Sequence, residues 1–163
     1  MNAISDMNRL AARPLAYVVA CQPLHGRLRD VAIQLGGLSL IAMLPRRDGF
    51  DGEAPLRAAA DALAGIRAEV LDLAVPPPAA HHHRHMAAAL AALARVAALL
   101  GRGPGSGGED VRREISAALR AGTDHIRHAA NAMPGFETVD LRHSCCAAHA
   151  AAVLSAEPAE LRF

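Results

Sequence analysis

The chain has 163 residues, 52% of them hydrophobic and 20% charged, with a formal net charge of +1. That length suits one domain able to bury a core without disulfides or metals, and the balanced charge supplies no footprint for a phosphate backbone, so nucleic acid is not an expected partner. With one Tyr, three Phe and no Trp, sites that clamp bases or flat cofactors between rings are disfavoured as well.

In chain order, residues 2–13 read as a helix stopped by Pro14 and residues 26–44 as a second helix, although "LAYVVA" and "LSLIAML" also suit short strands. "VVACQ", residues 18–22, resembles a lipoprotein cleavage box that would make Cys21 a lipidated first residue. Asp6 and the short apolar run behind Arg13 oppose export, which stays the minor alternative. Cys21 and His25 are four apart, but Pro23 between them argues against a shared helical face. The apolar stretch 31–44 is only about 14 residues long, too short to cross a bilayer, and no transmembrane segment is expected.

Four breaks follow: "PRRDGFDG" at 45–52, "PPP" at 76–78, "GRGPGSGG" at 101–108 and "PG" at 134–135. Each removes backbone donors or needs positive φ, so each ends a helix. Segment 55–74 opens with Pro55 near its first turn and spaces Leu56, Leu63, Ile66, Val70 and Leu73 by threes and fours, the mark of an amphipathic helix. Segment 79–100 carries Met86, Leu90, Leu93, Val96 and Leu100 on one stripe before Gly101, and the prolines between the two segments make a helical-hairpin corner. The glycine-rich linker lacks the Lys-Ser/Thr ending of a phosphate loop. Ser106 with Glu109 three residues on matches a capping box for a helix running through Val111, Ile115, Leu119, Ile126 and Met133 to Pro134. A last helix over about 140–155 would align Leu141, Cys145, Ala148 and Ala152.

The fold expected is all-α: an antiparallel helical bundle of five or six helices, with a small irregular or β element in the first 45 residues as the alternative. It forms a single domain, 1–163, with N-terminal helices in 1–45 and the main bundle in 53–163, linked at 75–78 and 101–108.

Chemistry concentrates in histidine and cysteine. In "RHSCCAAHA", Cys145 and His149 are four apart and Cys146 and His149 three apart, so either pair can offer a thiolate and an imidazole to one ion. A single helix cannot surround a tetrahedral ion, so partners must come from facing helices. The candidates are His82 and His85 in "HHHRHM" and His125 and His128 in "DHIRHA". Zinc, copper or nickel suit such N and S donors. Against this stands a plain reading in which Cys145 is a small core residue, the histidine tract is a solvated helix start and His125 is a core histidine bonded to a carbonyl. The Glu-x-x-His motif of di-iron bundles is absent. A cysteine-nucleophile enzyme built on Cys145 or Cys146 with His149 lacks an orienting carboxylate and an oxyanion element.

The sequence therefore predicts a binding protein and not an enzyme, and its specific form is transition-metal storage, delivery or sensing. The alternative is a structural or interaction protein, an accessory subunit or self-associating bundle that holds no metal. A homo-oligomer or protein partner is compatible with either. Three cysteines, two of them adjacent, form no secreted disulfide framework and point to a reducing cytoplasm.

Overall fold

A computed structural model describes residues 3–43, 52–102 and 108–136, with residues 3–12 described by their backbone alone. The described residues are helical and contain no strand: α1 is Ala3–Met43, α2 Glu53–Asp72, α3 Ala80–Leu100 and α4 Glu109–Ala132, with a 3-10 turn at Pro77–Ala79 leading into α3. The segment expected to form a helix at about 140–155 lies outside the described residues.

The first third differs from the expectation. The two short N-terminal helices, and the β alternative, give way to one helix of 41 residues with Pro14 and Pro23 inside it. Each proline removes a backbone donor from the ladder, a local penalty of about 3 kcal/mol in a helix interior. What opposes it is burial. Tyr17, Cys21, Leu24, Leu28, Val31 and Leu35 are all buried, and they step along α1 by four and three, which aligns them on one face. Fully burying side chains of this size is worth about 1.5–3 kcal/mol each, so the stripe outweighs the missing donors.

The hairpin of α2 and α3 turns at the triple proline, as the spacing predicts, and the core stripes appear as read: Leu63, Ile66 and Val70 on α2 and Met86, Leu90, Leu93 and Val96 on α3 are buried. Helix α4 starts two residues later than the capping-box reading, with Gly108 instead of Ser106 as its N-cap and no side-chain cap bond. Glu109 and Asp110 stand in its first turn, where negative charge suits the dipole.

The cross-helix pairs fix the direction of packing. Along α1, Gln22, His25 and Gly36 meet Gly135, Ile126 and Leu119, so α1 and the α4 region run oppositely. Arg27 with Glu69 and Gln34 with Pro55 give the same relation between α1 and α2, and His85 with His125 and Arg95 with Glu114 give it between α3 and α4. The contact between α3 and α4 is the most extensive of these.

That contact is close because one partner has no side chain. A Cβ at Gly122 would stand 2.8 Å from Leu93 Cδ2 and 3.0 Å from Leu93 Cγ. Leu93 is fully buried, and in a close-packed interior it can give way only by displacing its neighbours. Gly122→Val is therefore expected to destabilise the protein by about 1–3 kcal/mol, the usual range for overpacking, because the few tenths gained in helix propensity are too small to compensate. Chemical denaturation should show a lower midpoint with an unchanged slope; an unchanged midpoint would mean that α3 and α4 are not in this contact.

Candidate metal centre

The His-rich start of α3 divides by helical phase. His82 faces inward with Met86, while His81 and His85 lie on a neighbouring face, one turn apart. On α4, His125 and His128 flank the buried stripe of Gly122, Ile126 and Ala129. Because the two helices run oppositely and approach closely at Gly122, the imidazoles of His85, His125 and His128 converge, each offering a ligand atom within 4.8 Å of the others. His85 Nδ1 and His125 Nδ1 are 3.0 Å apart and share a hydrogen bond in which one ring donates N–H and the other accepts. The His128 ring stacks on His85 with centroids 5.3 Å apart.

This donor set fits a transition-metal ion. Ligand bonds of about 2.0–2.1 Å to a tetrahedral ion would place neighbouring nitrogens about 3.3 Å from one another, against separations of up to 4.8 Å among the three ligand atoms here. Electrostatics favour the ligating form at His85, whose pKa is lowered, first by burial and then by the positive charges that His81, His125, His128 and Arg84 would bring. A neutral imidazole keeps the lone pair that a metal needs.

The remaining candidates fall elsewhere. His82 is completely buried and sits apart from the three-histidine group, in the core between α1 and α3. Tyr17 Oη and His82 Nδ1 share a hydrogen bond of 2.9 Å, and the Cys21 thiol donates to the Tyr17 oxygen at 3.7 Å. The Phe136 ring lies 4.1 Å from the His82 ring, centroid to centroid. Among the described residues His82 Nε2 has no partner. Burial, and after it the charges of His25, His83 and His85, lowers the His82 pKa to about 4. Cys145, Cys146 and His149 lie outside the described residues, so the thiolate half of the expected site has no position here.

Two features escaped sequence reasoning. The core histidine bonded to a carbonyl is His25, which donates from Nε2 to the Ile126 carbonyl at 3.3 Å, while His125 stands in the converging group. And α1 runs through Pro23, so Cys21 and His25 do share a buried face after all. Burial raises the Cys21 thiol pKa, the opposite of what activates a nucleophile.

Comparison with protein families, with curated proteins and with solved structures found no match for this chain. The functional reading therefore rests on the site itself. No helix among the described residues is long and apolar enough to cross a membrane.

Proposed function

We propose that the protein binds a transition-metal ion, zinc, copper or nickel, through His85, His125 and His128, and that its role is storage, delivery or sensing. The observation that carries this reading is the convergence of three imidazoles from two helices within 4.8 Å of one another. Three neutral nitrogen donors suit a borderline divalent cation, whereas magnesium and calcium take oxygen ligands. The arrangement as a bundle in one domain, with a fifth helix over about 140–155, belongs to the same proposal, as does a reducing, cytoplasmic setting.

The test is metal content by elemental analysis of untagged protein purified without chelator, beside a His85→Ala, His125→Ala, His128→Ala variant and a Cys145→Ser, Cys146→Ser, His149→Ala variant. About one equivalent of metal is expected in the wild type and the cysteine variant, and none in the triple-histidine variant. Loss of metal only in the cysteine variant would move the site to the C-terminal motif. Metal-free wild type that ignores added ions would end the metal reading.

A second reading, a self-associating or interaction protein, is favoured by the outer face of α1. Leu15 and Ile33 stand about five helical turns apart, hence in phase, with Val19 and Leu40 beside them, and all four are between 64% and 69% exposed. Such an apolar stripe suits association. Under this reading sedimentation finds a dimer that an Ile33→Glu, Leu40→Glu variant converts to monomer; a monomeric wild type would remove it.

A further inference from the structure

Three ligands leave one position of a tetrahedral ion unfilled, and the residue one turn before His85 is another histidine. His81 and His85 are four apart on α3, the spacing at which two imidazoles on one helical face can chelate a single ion. Their rings are already in contact, with centroids 4.7 Å apart and planes at 90°. His81 does not yet belong to the converging group, and a visible cause is Arg84, whose Nη2 donates to His81 Nδ1 at 3.1 Å and occupies its lone pair. Both side chains are exposed, so the guanidinium can swing into water and release that nitrogen.

Building on the three-histidine reading, we propose that His81 is the fourth ligand. Two chelating pairs, His81 with His85 on α3 and His125 with His128 on α4, then close a four-imidazole shell around one divalent cation and tie the two helices together. No thiolate or carboxylate joins this group among the described residues, so the shell is neutral and its class is that of zinc or copper(II) sites. A closed shell holds its ion; it leaves no position at which water or a substrate would be activated. Arg84 opposes loading twice, by occupying the His81 lone pair and by placing a positive charge beside the incoming cation.

The test is a titration of the full-length metal-free protein with cobalt(II), a spectroscopic stand-in for zinc, followed by competition with zinc. Wild type should give the intense visible bands of a four-coordinate cobalt ion, unmoved by azide. His81→Ala should bind at least about 10-fold more weakly, since even the loss of an outer-shell partner typically costs that much, and its bands should shift with azide as the opened position takes it. Arg84→Gln should bind about threefold more tightly, from relief of charge repulsion at water-like screening. His81 lies in the exposed first turn of α3, and an unchanged circular dichroism spectrum verifies that the variants fold. Wild-type affinity and bands in His81→Ala, with azide already shifting the wild type, would overturn the fourth ligand while leaving the three-histidine site standing. No cobalt or zinc binding by the wild type would overturn both.

Discussion

With zinc present at about a thousandfold excess over its dissociation constant, the unfolding free energy of the protein should rise by about 4 kcal/mol, because an ion that binds only the folded state stabilises it by mass action. For a chain of this size that corresponds to an increase in melting temperature of roughly 10 °C. The gain arises because His85 and His125 come from helices whose histidines are 40 positions apart in sequence, so the unfolded chain presents the same ligands without their convergence. His125→Ala should lose nearly all of the zinc-dependent increase while unfolding at close to the wild-type temperature in chelator. An equal zinc response in both proteins would place the binding elsewhere.

Acid should weaken the metal-free protein strongly, and through a different histidine. In the folded protein His82 takes up a proton only near pH 4, against an ordinary value of 6.5. The unfolded chain therefore binds that proton first, and stability falls as pH falls. The contribution is complete above about pH 6.5, is lost progressively down to about pH 4 and amounts to about 3 kcal/mol. His25, also lowered by burial, acts in the same direction. Against a typical total of about 5–15 kcal/mol this is a large share. Denaturant midpoints measured in chelator from pH 7 to 4 should fall steeply for the wild type and less for His82→Gln, which keeps a hydrogen-bonding group for Tyr17 but has no proton to gain. A flat wild-type profile would mean that water reaches His82.

The helical hairpin of α2 and α3 was legible because periodicity and punctuation agree there: apolar stripes on both sides and three prolines between. The long α1 was not, because the prolines speak locally while the stripe speaks globally. Tyr17, Cys21, Leu24, Leu28, Val31 and Leu35 keep their four-and-three spacing straight through Pro23, and that phase was the available signal. Tertiary burial overrode local propensity, as it commonly does. At the candidate site, spacing put His125 and His128 on one helix and His85 on another, but it could not tell which helices face each other. A three-residue difference in phase separates His82 from His85 in the run of histidines, but only the positions of α1 and α4 send one to Tyr17 and the other to His125. That His25 is the ring bonded to a carbonyl was hidden for the same reason, since only the packed structure tells which ring meets Ile126.

Gly122 lies one turn before His125 on α4, and its bare backbone lets α3 draw near at Leu93. Imidazole arms are short, so the span between the two helix axes acts as the calliper of the proposed metal site. A residue that touches no ion thus sets the bite offered to one. Widening the jaw with a methyl group should cost grip before it costs fold: Gly122→Ala should bind zinc more weakly while remaining native by circular dichroism, and ion preference should drift toward larger cations as the gap opens.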